Sequence, residues 1–456
     1  MDEKTDLVVH AHFDRPGVSR QTGGVRHLIV DFQAPPMPQD AETEHRPLNL
    51  ALVIDASGSM NHPVSGGEER RGRTRGMQTC LEAAKEAACG VVDHLAPEDR
   101  LSVVSFSDDS EVHVSAQRMD TLGKQDAIEA ISSIHTRGST NLHDGWLKGA
   151  ELVAQVMEQD KGYQNRVLIL SDGMANQGIV KPDALGEIAS GLQKRGITSS
   201  AVGIGVDYST DQLEKMAEYG GGMLHHAQEV EEIVQVVMGE LRSMETTFAE
   251  NLELSCSLDA GGVRLDGRVL GLGWHRSGSR LVCPVGFLTW GSRRQVVVRF
   301  NVPQRISQDV LTVDLRVNGT VLDDELARPS WSQKATLQVV NGSAKDGLDV
   351  ELGQVVANIW LSEMVRKAIA MNRDGDFEGT QAYLQEEMAD FEAYCALLPD
   401  GAEFMDSIRK TQRSVQRPMR ELARKEVGTA LFKMARCMED ARPAMRSMSW
   451  KDHLVE

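Results

Sequence analysis

The stretch that most constrains the fold is the apolar run Leu48-Asn49-Leu50-Ala51-Leu52-Val53-Ile54, which passes without a break into Asp55-Ala56-Ser57-Gly58-Ser59-Met60. A near-continuous branched-aliphatic run of this length suits a strand buried on both faces of a parallel sheet. A sharp polar turn at the carboxyl end of such a strand is where open α/β sheets place their ligands. This turn offers one carboxylate and two hydroxyls at alternate positions, hard oxygen donors suited to Mg²⁺ or Ca²⁺. It equally suits an ordinary strand-to-helix turn in which Ser or Asp caps the next helix. The hexapeptide alone leaves both readings open.

From residue 48 to about 243, strand patterns (48–54, 101–106, 166–170, 199–206, 223–227) alternate with helical ones (77–94, 126–134, 145–160, 183–195, 210–218, 230–243). A short antiparallel edge strand is expected over 111–115. This alternation predicts a doubly wound, Rossmann-like α/β domain over residues 48–245, with a mostly parallel sheet and helices on both sides. Gly203-Ile204-Gly205 lacks the third glycine of a dinucleotide fingerprint, and no G-x-x-x-x-G-K-[ST] sequence is present, which excludes a P-loop NTPase.

The flanks read differently. Residues 7–13 and 25–32 partly alternate apolar and polar side chains, as antiparallel strands joined through Pro16-Gly17 and Gly23-Gly24. Residues 34–47, with Pro35, Pro36, Pro38 and Pro47, read as an extended linker. Beyond 245, strand-like segments at 252–258, 263–270, 280–285, 294–302, 310–317 and 334–340 suggest an antiparallel β-sandwich over 246–345. An isolated two-stranded ribbon is marginal in water, so residues 1–47 are expected to join that sandwich, with the α/β domain inserted between its parts. An α-helical region is expected over 346–456, with helices at 350–372, 378–397 and 402–438, the last broken near Pro418.

A chain of 456 residues exceeds a single core. Its 41% hydrophobic and 25% charged content is that of a soluble globular protein, and its net charge of -18 argues against nucleic-acid or anionic-membrane binding through global charge. No apolar run approaches bilayer length. The start Met1-Asp2-Glu3-Lys4-Thr5-Asp6 lacks the basic and apolar regions of a signal peptide, so a cytoplasmic location is expected. Six dispersed cysteines without a C-x-x-C pair read as free thiols of a reducing compartment.

Two further loops bear on Asp55. Arg137-Gly138-Ser139-Thr140-Asn141-Leu142 supplies a threonine on a glycine-containing turn, and Ser171-Asp172-Gly173 follows the apolar strand Val167-Leu168-Ile169-Leu170. A parallel sheet would gather Asp55, Ser57, Ser59, Thr140 and Asp172 at one edge. Two carboxylates neutralise a divalent cation while three hydroxyls fill coordination positions without adding charge.

With these residues in place, the chain resembles von Willebrand factor type A domain proteins, with the metal-ion-dependent adhesion site D-x-S-x-S…T…D intact over roughly residues 48–243. More loosely, the whole chain resembles bacterial cytosolic-type proteins that carry this domain between β-strands, some labelled as relatives of inter-alpha-trypsin inhibitor heavy chains or calcium-activated chloride channel proteins. The resemblance implies that Ser57 and Ser59 contact the metal directly and that Thr140 joins them in the ligand-bound state. Asp55 and Asp172 would act directly or through ordered water, and an acidic side chain of a protein partner would complete the shell. The loop 61–76, with Arg70, Arg71, Arg73 and Arg75, looks longer than the family minimum. It reads as a solvated insertion ahead of an electropositive rim. Ala56 and Met60 add no carboxylate for a second metal.

Weaker signals read as structural. Asp374-Gly375-Asp376-Phe377-Glu378-Gly379 opens like an EF-hand loop, but Gln385 stands where the bidentate Glu belongs, so a helix–helix turn is expected. His225-His226 lacks carboxylate or Cys company. No G-x-S-x-G elbow or triad supports a nucleophilic serine. The expected function is therefore a non-enzymatic adaptor that uses Mg²⁺ (or Mn²⁺ or Ca²⁺) to capture an Asp or Glu of a partner protein. The alternatives are a subunit coupled to an AAA+ ATPase of the chelatase or MoxR-like kind, a metal-dependent hydrolase, and an oligomer whose metal is completed by a second copy.

Overall fold

A computed structural model describes residues 6–37, 47–64, 78–160, 162–173, 175–205, 210–227, 230–321, 330–341 and 347–419. The chain divides into two units, one containing Met1–Met37 and Phe248–Pro443, the other Pro38–Thr247. The first stretch supplies β1 (Val8–Phe13), β2 (Gly17–Ser19) and β3 (Gly24–Gln33).

The second unit follows as β4 (Leu48–Asp55), α1 (Cys80–His94), β5 (Arg100–Phe106), β6 (Ser110–Arg118), α2 (Thr121–Ser132) and α3 (Leu142–Gln159). It continues as β7 (Gln164–Ser171), α4 (Pro182–Lys194), β8 (Ile197–Ile204), α5 (Thr210–Tyr219), β9 (Gly221–Ala227) and α6 (Val230–Glu245). The strands lie in the order β6-β5-β4-β7-β8-β9, and every neighbouring pair is parallel except β5–β6. This is the doubly wound sheet that the alternation predicts. Every residue of β4 is buried. Leu50, Leu52 and Ile54 pack in the core shared with α1, α2 and α6, while Ala51 and Val53 face that of α3, α4 and α5. Burial on both faces is why the run is continuous rather than alternating. The helix α3 lies so close to the sheet that a Cβ at Gly145 would stand 2.5 Å from Phe106 Cβ, and one at Gly149 would stand 2.6 Å from Val53 Cγ2. A capping box starts α1: the Thr79 hydroxyl accepts from Glu82 N at 3.2 Å and the Glu82 carboxylate accepts from Thr79 N at 2.9 Å.

The first unit resumes with β10 (Thr247–Ser257), β11 (Asp266–Leu270), β12 (His275–Ser277), β13 (Arg280–Thr289), β14 (Arg293–Val302), β15 (Val310–Val321) and β16 (Ser330–Val340). They form two sheets, β1-β3-β14-β11 and β12-β13-β10-β15-β16-β2. The strand β3 pairs antiparallel with β14 from Gly24↔Val302 to Gln33↔Arg293. Residues 7–33 thus complete the sandwich as expected. One detail differs: the connection through Pro16-Gly17 contains β2, which pairs parallel with β16. The short β12 is exposed at every residue, so it carried no alternation to read.

Leu28, Val30 and Phe32 of β3 point into the sandwich core, whereas Ile29 on the other face packs with Leu270, Val297 and the helices α7 (Val350–Arg373), α8 (Phe377–Cys395) and α9 (Gly401–Ser414). The helices therefore cover the outer face of one sheet. A polar seam reinforces the contact. Arg268 donates to both oxygens of Glu387 at 2.9 and 3.0 Å, Arg299 to Asp390 at 2.7 Å, and Trp360 Nε1 to Glu387 at 2.9 Å. The helix α9 ends at Ser414, short of Pro418, and residues 420–438 of the expected third helix lie outside the described residues. Among the described residues no helix is long and apolar enough to cross a membrane.

Candidate metal centre

Strand register brings three loops to one edge of the parallel sheet. Asp55 is the last residue of β4 and stands opposite Phe106 of β5, while Ile54 stands opposite Leu170 of β7. Backbone hydrogen bonds then stitch the loops together: Ala56 N to Phe106 O at 2.8 Å, Arg137 N to Ala56 O at 2.6 Å, Gly58 N to Gly138 O at 3.2 Å, and Asn141 N to Ser107 O at 2.6 Å. Residues 58–61 form a 3-10 turn anchored by the buried Met60. Gly138 adopts a positive φ of 51°, and a Cβ there would collide with the Asp108 carboxylate, so glycine is required at this turn.

All five residues expected from the sequence meet in this place. Asp55, Ser57, Thr140 and Asp172 are 0, 1, 5 and 6% exposed. Asp55 Oδ1 accepts from Ser57 N at 2.8 Å and its Oδ2 accepts from Ser171 Oγ at 2.6 Å. Ser57 Oγ and Ser59 Oγ are 3.0 Å apart, and Ser59 Oγ donates to Asp172 Oδ1 at 2.7 Å. A Cβ built on Gly173 would lie 3.3 Å from Ser59 Oγ and 3.6 Å from both Asp55 Oδ2 and Thr140 Oγ1, so these three oxygens bound one small space. The site opens as a cavity of about 410 Å³ lined by Ser57, Gly58, Ser59, Gly138, Ser139, Thr140, Asp172, Gly173 and Asn176.

The electrostatics are those of a buried carboxylate pair that hydrogen bonds and the nearby His62 compensate only in part. Burial raises the Asp55 carboxyl above its ordinary range, against the hydrogen bonds from Ser171 and Ser57. Burial, aided by the charge of Asp55, pushes Asp172 up to about 6, against the hydrogen bond from Ser59. Among the described residues neither carboxylate forms an ion pair with Lys or Arg.

Residues 49–238 match the sequence model of the von Willebrand factor type A domain. The chain carries a von Willebrand factor type A domain. It is similar to the Escherichia coli protein YfbK, with 27% identity over 232 residues that cover 50% of this chain and 36% of that protein. A second relative, sll0103 of Synechocystis, is 28% identical over 48% of this chain and 47% of its own length, so the chain spans less than half of the curated relatives it matches. Among solved structures, the von Willebrand factor type A protein of Catenulispora acidiphila superposes with a TM-score of 0.62 at 15% identity, covering 87% of this chain and 90% of that one. The likeness in fold therefore extends well beyond the von Willebrand factor type A domain.

The weaker signals resolve as structure. Asp376 caps α8 by accepting from Gly379 N at 2.8 Å, in a helix–helix turn. His225 does have carboxylate company, contrary to the sequence reading: its Nε2 lies 2.6 Å from Oε2 of Glu240 on α6, and Ser200 Oγ donates to the same carboxylate at 2.5 Å. Arg70, Arg71, Arg73 and Arg75 lie outside the described residues. Sequence reasoning missed Ser171, which orients Asp55, and Asn176, whose Oδ1 accepts from Thr140 N at 3.1 Å. Their signals were slight: a serine beside Asp172, and an asparagine in the turn-forming Asn176-Gln177-Gly178.

Proposed function

We propose that this protein is a non-enzymatic adaptor in which a divalent cation, Mg²⁺ or Mn²⁺ in the first instance, captures an Asp or Glu side chain of a protein partner. The observation that carries this reading is the meeting of two desolvated carboxylates, without a Lys or Arg counter-charge among the described residues, with three hydroxyls; Asp172 and the three hydroxyl residues line one solvent-open cavity. The residues fit a cation. Burying carboxylates that no Lys or Arg pairs among the described residues is costly, and Gly173 leaves a cradle bounded by oxygens from all three loops. The donors are hard oxygens, which suit Mg²⁺, Mn²⁺ or Ca²⁺. Asp55, Ser57, Ser59, Thr140 and Asp172 would hold the ion, which would supply a Lewis-acidic position for an incoming carboxylate.

The chain's own residues organise that capture. Ser171 and Ser57 N hold Asp55 in one orientation. Asn176 and the N-cap residue Asn141 fix the loop that presents Thr140. A hydroxyl-dominated shell is a poor activator of water. That favours binding over hydrolysis.

The test is affinity capture with immobilised full-length protein in Mg²⁺ and in chelator, beside an Asp55→Ala, Ser57→Ala double variant, with mass-spectrometric identification. Proteins retained only by the wild type in Mg²⁺ support the reading. Retained sets that are identical in all conditions overturn it.

A further inference from the structure

The cavity has a second polar feature, on its wall rather than its floor. Asn176 is exposed, lines the cavity and follows Asp172 on the same loop. A backbone N–H can only donate, so the atom that receives Thr140 N at 3.1 Å must be the amide oxygen of Asn176. The bond is answered in the other direction, because Asn176 N donates to Thr140 O at 3.0 Å. This reciprocal pair leaves Asn176 Nδ2 without a hydrogen bond among the described residues. The loop behind it is held as well. Gln212 Oε1 accepts from Ala175 N at 3.0 Å, and Gln212 Nε2 donates to Val180 O at 2.8 Å. The donor is therefore fixed beside Thr140 before any ligand arrives.

We infer that Asn176 is a specificity-determining residue whose amide Nδ2 donates to the second oxygen of the captured carboxylate. This rests on the metal-dependent capture proposed above. A carboxylate has two oxygens, and a cation engages one of them in a monodentate contact. The other oxygen needs a donor once it leaves water. Asp172 is an acceptor when ionised, and the Ser57 and Ser59 hydroxyls are engaged with each other and with Asp172. Asn176 supplies a donor that a carboxylate can reach with one oxygen while the other engages the cation, whereas an alcohol, a water or a chloride ion offers a single ligating atom for both contacts. The residue thus selects a planar two-oxygen anion over other metal ligands, by a charge-assisted hydrogen bond.

The test uses acetate as the probe and Mn²⁺ as the metal, on the full chain. Mn²⁺ affinity is read from the paramagnetic resonance of the free ion, and acetate affinity from broadening of the acetate methyl proton signal at Mn²⁺ saturation. Asn176→Asp keeps the acceptor for Thr140 N but removes the donor, and Asn176→Ala removes the donor without adding charge. Both should weaken acetate about tenfold more than they change Mn²⁺ affinity, the loss of one hydrogen bond to a charged group. Wild-type acetate affinity in both variants would overturn the assignment. A loss confined to Asn176→Asp would mean charge repulsion, and a matching fall in Mn²⁺ affinity would mean that Asn176 only positions Thr140. Either result also overturns it. Absence of Mn²⁺ binding, or of Mn²⁺-dependent acetate broadening, in the wild type would instead overturn the capture reading itself.

Discussion

Replacing Gly173 by Ala tests the cation site without removing a single expected ligand. Gly173 does not adopt a positive φ, so alanine meets no backbone strain there. Its methyl would lie 3.6 Å from Asp55 Oδ2 and Thr140 Oγ1, ordinary van der Waals contact, and 3.3 Å from Ser59 Oγ, a tight contact that the hydroxyl must relieve by a few tenths of an ångström. The cation-free protein should therefore stay within about 1 kcal/mol of the wild type, with the lost freedom of the unfolded chain set against that adjustment. A divalent ion bound to the same oxygens stands about 2.0–2.6 Å from each, in the space the methyl takes. At a hundredfold excess over Kd, the cation should stabilise the wild type by about 2.7 kcal/mol. In a unit of this size that corresponds to a rise of about 5–10 °C in Tm. Scanning calorimetry in chelator and in saturating Mg²⁺ or Mn²⁺ measures both quantities. The variant should show a Tm in chelator within about 4 °C of the wild type and no shift with metal. A full metal shift in Gly173→Ala would refute the placement of the ion among these three oxygens.

Three other perturbations follow from the packing. Gly149→Ala would drive a methyl to 2.6 Å from Val53 Cγ2 and should cost about 1–3 kcal/mol in denaturant unfolding; a neutral result would mean that α3 can shift off the sheet. Glu387→Ala would strip one carboxylate partner from Arg268 and from Arg299 and the acceptor from Trp360 Nε1, and should destabilise the sandwich unit by about 2–4 kcal/mol, whereas Glu387→Gln, which keeps an acceptor, should cost less. The buried His27 should make the sandwich unit acid-sensitive. Burial lowers its pKa despite the hydrogen bond to Asp14 and with the charges of Arg299 and Arg15 opposing protonation, while Tyr394 donates to the same Asp14 carboxylate. A folded pKa below the ordinary 6.5 means the unfolded chain takes up the proton first. The stability from neutral His27 is thus present above about pH 6.5 and is lost as pH falls through the folded pKa. His27→Gln should flatten the slope of unfolding free energy against pH just below 6.5, and an unchanged slope would show that other groups set it.

The α/β unit was legible because its signals are local. A strand buried on both faces must be apolar throughout, and a ligand turn at its end must be polar and small, so 48–60 announces both. Thr140 and Asp172 were legible for the same reason, as residues at strand or helix ends. The pairing of residues 7–33 with the later strands followed from the instability of a lone ribbon, although the parallel β2 did not, since three residues set no period. Asn176 was invisible for a different cause. Its role depends on a backbone N–H 36 residues earlier, on a loop whose position only the folded sheet defines. The docking of α7–α9 on β3, β11 and β14 was hidden likewise. Ile29 reads as one more apolar residue until the strand is known to bury both faces.

The balance of carboxylates and hydroxyls bears on what such a site can capture. Cation-free, the charges of Asp55 and Asp172 are answered by Ser171 and Ser59, and a hydroxyl that donates to a carboxylate still presents lone pairs. Those hydrogen bonds do not fully offset burial, for Asp172 remains pushed up to about 6. The deficit that raises the carboxyls is what a divalent ion would relieve, so affinity for the ion and strain in its absence share one physical source. Two carboxylates bring a dication to neutrality, and three hydroxyls add contacts without adding charge. A third carboxylate in place of Thr140 would leave the loaded site net negative and would repel an acidic side chain as it approached. On this reasoning Thr140→Asp should hold the cation at least as tightly as the wild type while losing acetate, and the same pair of magnetic-resonance measurements would reveal it.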